Sequence, residues 1–271
     1  MARKKATEKN TTALVPWEQE MAEAAARAAS AEKPTGTKSI GLRGGQMTID
    51  DSPVEDNEIS VVVLAAVHEN QYFTGRYNPQ VKQSPVCYAY SDPDAAPEDA
   101  EDSMRPHPEA PDKQAEACKV CPMNEWGSAE TGKGKACKNV RRLALILEES
   151  LEDAESLEEA EVRMLKVPVT SVKNWSAYVR NKLAAIGRPS YGVVTKVKVV
   201  PDEKNQFKVL FSFERTVEFD AELYEAMKAK VAAVEKDMRS AYPVHDELEE
   251  KPKVRGKKPL PQVGRATRRK F

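Results

Sequence analysis

The sequence predicts an α+β fold, one mixed domain over residues 47–240 with a four-cysteine loop inserted into its β part. Three observations predict it. Val193, Thr195, Val197 and Val199 alternate with lysines, and Phe207, Val209, Phe211 and Phe213 repeat the pattern, the period-two signature of half-buried strands. Val172, Trp175, Val179, Leu183 and Ile186 recur at helical spacing, as do Leu223, Met227, Val231, Val234 and Met238. Of the chain's four cysteines, Cys118, Cys121 and Cys137 lie in polar, Gly- or Lys-rich surroundings, while Cys87 sits on a strand candidate.

The elements follow in order. Residues 1–46 are expected to be a flexible N-terminal arm, because the Ala- and Glu-rich segment 17–32 lacks a long apolar face and would fold only on a partner. Gly41, Gly44 and Gly45 then make a joint. Residues 59–67 are nearly all apolar, as a strand covered on both faces is. Residues 71–78 suggest a turn or short strand, and 86–90 a further strand carrying Cys87. Residues 91–117 hold nine acidic and two basic residues among several prolines, which reads as a solvated insertion. Residues 138–147 are expected to start a helix that ends in the acidic stretch 148–161. Gly187 closes the next helix, 201–205 turns a hairpin, and Asp220 opens the last helix. From 241 to 271 a basic disordered tail is expected, with nine Lys or Arg and no acid after residue 250.

The composition excludes several classes. With 31% charged and 6% aromatic residues, one compact core over all 271 residues is not expected. No run of about 18 apolar residues exists to span a bilayer, and the N-terminus lacks the apolar stretch of a secretory signal. The expected setting is therefore cytoplasmic and reducing, where a Cys-x-x-Cys is more often a metal or redox pair than a disulfide.

Cys118 and Cys121 form such a pair. Fifteen residues separate Cys121 from Cys137, and thirty separate Cys87 from Cys118. Four thiolates suit one tetrahedral zinc ion of structural type, so zinc is the expected cofactor, with His68 or His107 as substitutes for Cys87. The alternatives are four buried free thiols and a redox pair, which would need a strand–Cys-x-x-Cys–helix frame. Gly127-x-x-x-x-Gly132-Lys133 begins like a phosphate-binding loop but continues with Gly134 where Ser or Thr is required. No other catalytic motif stands out, and no enzymatic activity is expected.

Charge is segregated. Lys119, Lys133, Lys135, Lys138, Arg141 and Arg142 surround Trp126, and Tyr72, Phe73, Arg76, Tyr77, Tyr88 and Tyr90 lie nearby in sequence. Cations follow a phosphate backbone and flat rings stack on bases, the pairing used by single-strand binders. The expected contact residues are Tyr72, Arg76, Tyr77, Trp126, Lys133, Lys135, Lys138, Arg141 and Arg142, with Lys196, Lys198 and Lys208 adding a basic face to the hairpin.

The stretch Cys-x-x-Cys-Pro-x-Asn-x-Trp-Gly-Ser at 118–128, running into Gly-Lys-Gly-Lys-Ala-Cys-Lys-Asn-x-Arg-Arg-Leu at 132–143, resembles a pattern of small phage proteins of DNA replication and recombination. The broad plan is similar to phage single-stranded DNA-binding proteins. The resemblance implies an OB-like antiparallel β barrel or sheet with a zinc-bound loop, metal ligands at Cys118, Cys121 and Cys137, and DNA contacts from Lys133 to Arg142. Such proteins end in an acidic tail with a terminal aromatic, whereas Phe271 follows Arg268, Arg269 and Lys270. The expectation is a non-enzymatic, zinc-containing protein that binds single-stranded DNA or RNA, alongside replication or recombination proteins and away from membranes. The alternatives are a zinc-containing adaptor that binds another protein through its acidic segments, and a nuclease or recombination subunit.

Overall fold

The computed structural model describes Met21 and residues 38–75, 83–92, 94–130 and 133–242. The expected N-terminal arm (but for Met21 and its last few residues), Arg76, Tyr77 and the basic tail lie outside them.

The strands are β1 (Ser39–Gly41), β2 (Thr48–Ile49), β3 (Ser52–Pro53), β4 (Glu58–Tyr72), β5 (Cys87–Tyr90), β6 (Arg105–Pro106), β7 (Lys138–Leu147), β8 (Arg163–Val167), β9 (Val193–Asp202) and β10 (Gln206–Thr216). They form one sheet in the order β10-β9-β4-β7-β8-β1-β2-β3, with β5 and β6 branching from β4. The β1–β8 pair is parallel and the other pairs are antiparallel. This corrects the expected OB-like antiparallel barrel with an inserted zinc loop. The sheet is mixed and curled into a half-barrel flanked by helices. Its outer strands β10 and β3 do not pair with each other, so it stays open. The free edge of β10 is blocked at Val209, whose N–H donates to Ser171 Oγ (2.9 Å) and whose carbonyl accepts from Asn174 Nδ2 (2.8 Å).

Helices cover both faces of the sheet. The helices are α1 (Ala154–Glu159), α2 (Val172–Ala177, a π turn over Tyr178–Leu183, then Ala184–Ile186) and α3 (Ala221–Asp237). Trp175, Tyr178 and Leu183 of α2 pack on Val61, Val63, Leu143, Leu145 and Val197. Leu223, Met227, Val234 and Met238 pack on Val62, Leu64, Val67 and Ile146 from the other side. The two-sided burial explains the unbroken apolar run in β4. A register shift between Val63 and Ala65 lets Leu64 and Ala65, neighbours in sequence, join the same core.

The segment 138–147, expected to begin a helix, is strand β7. It pairs with β4 from Gln71↔Lys138 to Val61↔Leu147. A central strand buried on both faces gives an apolar run without clear periodicity, and the Leu, Ala and Arg in this one favour helix by propensity alone. The other elements form close to their expected places. Asp220 Oδ1 accepts from Leu223 N at 2.8 Å, capping α3. Gly187, at φ 69°, ends α2 in the left-handed region open to glycine. The acidic segment is not wholly solvated: Met104 and Ala110 are buried, and Glu101 reaches Arg141 Nη2 at 2.8 Å.

Candidate functional site

The loop between Cys118 and Cys137 is built from its own hydrogen bonds. Asn124 N donates to Cys121 O (2.9 Å), and Asn124 Nδ2 to Cys118 O (2.9 Å). Ser128 Oγ donates to Glu125 O (2.7 Å) and accepts from Ala136 N (2.9 Å). Gly127 N and Ala129 N both donate to Gly134 O, at 3.0 and 3.1 Å. Gly127, at φ 90°, takes a backbone shape that a side chain would strain. Asn139 at the start of β7 ties the loop to the sheet through Asn124 Oδ1 (3.0 Å) and Asn70 Oδ1.

All four cysteines are buried and line one small cavity with Asn70, Tyr72, Tyr88, Met123 and Asn124. They are free thiols. Among the described residues, however, no group of three or more His, Cys, Asp or Glu side chains could hold a metal ion. The zinc expectation is thereby corrected, for Cys87, Cys118, Cys121 and Cys137 together and for His68 or His107 as substitutes. Spacing limits how far apart the thiols can lie, but zinc needs sulfurs aimed at one point about 2.3 Å away. Burial instead pushes the Cys87 and Cys118 thiols up, and the Cys137 thiol up to about 12, which keeps them neutral. Cys118 packs with Ala89 and Met104. These thiols act as small apolar side chains.

Outside the cavity the loop presents cations and a ring. Trp126 is 79% exposed, and Lys135 Nζ lies 5.8 Å from its ring centroid. Lys135 is held by Asn124 Oδ1 at 3.2 Å, and Lys138 Nζ donates to Lys135 O at 2.9 Å. Lys133 and Lys138 are exposed. Beside them opens a cleft of about 740 Å³ lined by Tyr72, Phe73, Met123, Ala129, Glu130 and Lys138, among others.

Other expected contact residues are placed elsewhere. Arg141 is 8% exposed and paired with Glu101. Arg142 clamps Glu69 through Nη2 (2.6 Å) and Nε (3.1 Å), and its Nη1 donates to Met238 O (3.1 Å). Burial works to discharge Arg142, but Glu69 and the neighbouring phenols outweigh it and raise its pKa. Tyr88 and Tyr90 are buried, stacked with or edged against His107. Lys196 and Lys198 share Glu58, at 2.9 and 2.8 Å, and Lys208 lies 3.5 Å from Asp202. The hairpin's positive charge is therefore locally neutralised.

Sequence reasoning missed the polar cluster under Arg142. The Tyr242 hydroxyl donates to Glu69 and is approached at 2.7 Å by Gln71 Nε2, Lys166 Nζ and Arg142 Nη2. The signal was faint: Glu69 lies just after the apolar run of β4, and Arg142 just before that of β7.

The fold and loop define a mixed half-barrel protein whose surface carries an exposed indole beside Lys135, with Lys133 and Lys138 exposed on the same segment. No family model, curated protein or solved structure matches the chain. The resemblance to phage single-stranded DNA-binding proteins with a zinc-bound loop is corrected along with the zinc, since the cysteines that carried it form no metal-holding group. The function built on that loop, a zinc-containing replication or recombination protein or a zinc-containing adaptor, is corrected with it. Among the described residues, no helix is long and apolar enough to cross a membrane.

Proposed function

We propose that the protein is a binding module for single-stranded nucleic acid, without catalytic activity, and that its contact surface needs no metal. The observation carrying this reading is Trp126, 79% exposed on a hydrogen-bonded loop with Lys135 beside its ring. A large ring left in water is costly unless something covers it. The cations around it select an anion, and the ring and the adjoining Tyr72–Phe73 cleft select flat bases. Single-stranded nucleic acid offers both. The contacts assigned are Trp126, Lys133, Lys135, Lys138 and Tyr72, while Arg141 and Arg142 act inside the fold. An intracellular setting goes with this reading and with four unbridged thiols.

The test is titration of a labelled oligonucleotide against the wild type, Trp126→Ala and Lys135→Glu over a salt series. Trp126→Ala should cost about 1–3 kcal/mol of affinity, a loss that persists at high salt, while Lys135→Glu should weaken binding most at low salt. Both should leave the thermal midpoint unchanged. Wild-type affinity matched by both variants would exclude the reading and leave Trp126 as an anchor for a protein partner.

A further inference from the structure

Helix α2 carries a second positive surface. From 163 to 200 the sequence holds Arg163, Lys166, Lys173, Arg180, Lys182, Arg188, Lys196 and Lys198 and no acid. Four of these, Lys173, Arg180, Lys182 and Arg188, are exposed on or just after α2. Unlike the hairpin lysines, none of the four has a carboxylate within 4.0 Å among the described residues. Arg180 Nε donates to the Ser176 carbonyl at 3.4 Å. Lys182 Nζ lies 4.9 Å from the Phe213 ring centroid, so the surface again pairs a cation with an aromatic.

The π turn is the second observation. Tyr178 and Leu183 are both buried against the sheet. Five residues apart in an α-helix, they would point about 140° away from each other. The wider π turn brings them to one face and leaves Arg180, Asn181 and Lys182, three consecutive residues, all exposed. Such turns are rare and are frequent at functional sites. The ordinary account, that basic residues complement the carbonyl end of a helix, covers Arg180, Lys182 and Arg188. It does not cover Lys173, in the first turn, where a cation is unfavourable.

The strand that leads into α2 ends beside β7, the strand that carries Lys138 of the cleft at its start. Val167, the last residue of β8, pairs with Arg141 of β7, the strand that begins at Lys138, and the turn ahead of α2 packs on β7.

We propose that the outer face of α2 is a second phosphate-backbone contact, over which a nucleic-acid strand seated at Trp126 continues. This rests on the single-strand reading of the cleft and extends it. Charge complementarity selects the occupant: a row of cations without acids suits a phosphodiester chain.

The experiment compares full-length wild type with the triple variant Lys173→Gln, Arg180→Gln, Lys182→Gln, using a short oligothymidylate that fills the cleft alone and a long one that also reaches α2. The variant should bind the short strand like the wild type and lose the extra affinity for the long one. Its salt slope on the long strand should fall by about 2, three phosphates at about 0.7 each. An unchanged thermal midpoint excludes misfolding, and Arg188→Gln alone should give a smaller change in the same direction. If both proteins bind long and short strands with the same affinity difference and slope, the α2 contact is refuted while the cleft stands. If the wild type binds neither strand, the cleft reading fails and takes this one with it.

Discussion

The Tyr242 hydroxyl sits among Glu69, Arg142, Lys166 and Gln71, and it shows what single residues do in this molecule. Glu69 has no side-chain exposure, and its carboxylate is matched by one guanidinium and one phenol. A buried pair of this kind adds little over an apolar pair of the same shape, but breaking one is expensive because a charge is left uncompensated. Arg142→Met is therefore expected to destabilise the fold by about 3–5 kcal/mol, read as a lowered urea midpoint. Replacing Glu69 and Arg142 together with apolar residues should recover much of that loss. A double variant no better than Arg142→Met would show that the pair itself, and not the stranded charge, carries the stability. Trp126 stands at the opposite extreme: its removal should be silent in unfolding and visible only in binding.

Among the elements, β4 and the acidic segment are joined by a titratable contact. His68 Nδ1 is 3.5 Å from a Glu101 carboxylate oxygen but makes no hydrogen bond, and Arg141 lies beside it, bonded to the same oxygen. Burial lowers the His68 pKa, Arg141 lowers it further, and Glu101 opposes both. The unfolded chain therefore takes up this proton at higher pH than the folded one. The stability contributed by neutral His68 is complete above the ordinary histidine value of about 6.5 and is lost as pH falls through the lower folded value. Urea midpoints should drop below about pH 6.5, and His68→Gln should flatten that drop; an equal drop in the variant would place the titration elsewhere.

The elements also differ in how legible they are from sequence. The β9–β10 hairpin and α2 and α3 have one buried and one exposed face, so their periodicity was readable. Asp220 marked the start of α3 correctly, and Asp220→Ala should cost about 1 kcal/mol in a thermal melt. β7 was not readable, because a strand covered on both faces has no polar alternation to distinguish it from a helix. Of the candidate site, the loop lysines around Trp126 were legible as solvated cations, but the exposure of the Trp126 ring was not, since an isolated aromatic in sequence is as readily a buried lid. The roles of Arg141 and Arg142 were not, because sequence gives no sign of which distant carboxylate will meet a guanidinium. The cysteine spacing brought the thiols to one cavity but could not specify where their sulfurs point.

For the whole molecule, the distribution of charge matters more than its total of −1. Surface pairing cancels much of it: Lys196 and Lys198 on Glu58, Arg215 on Glu148, Lys119 on Asp102. Among the described residues, Lys133, Lys135 and Lys138 of the Trp126 loop and the cations on the outer face of α2 have no carboxylate within 4.0 Å, and the sequence after residue 250 holds nine Lys or Arg and no acid. The last of these follows Tyr242, the residue fixed in the buried polar cluster, so two truncations separate anchoring from charge. Ending the chain at Glu250 removes the cationic segment alone. It should leave the unfolding midpoint unchanged while lowering affinity for single-stranded oligonucleotide and reducing the salt slope by about 0.7 for each phosphate that the segment neutralises. Ending it at Arg239 also removes Tyr242, and with it the hydroxyl that Glu69, Lys166, Gln71 and Arg142 share. Groups buried without a partner cost roughly 1–3 kcal/mol each, so this shorter chain should unfold at lower denaturant as well as bind less tightly. Equal midpoints for the two truncations would remove Tyr242 from the account of stability. An unchanged salt slope at Glu250 would remove the basic segment from the account of binding.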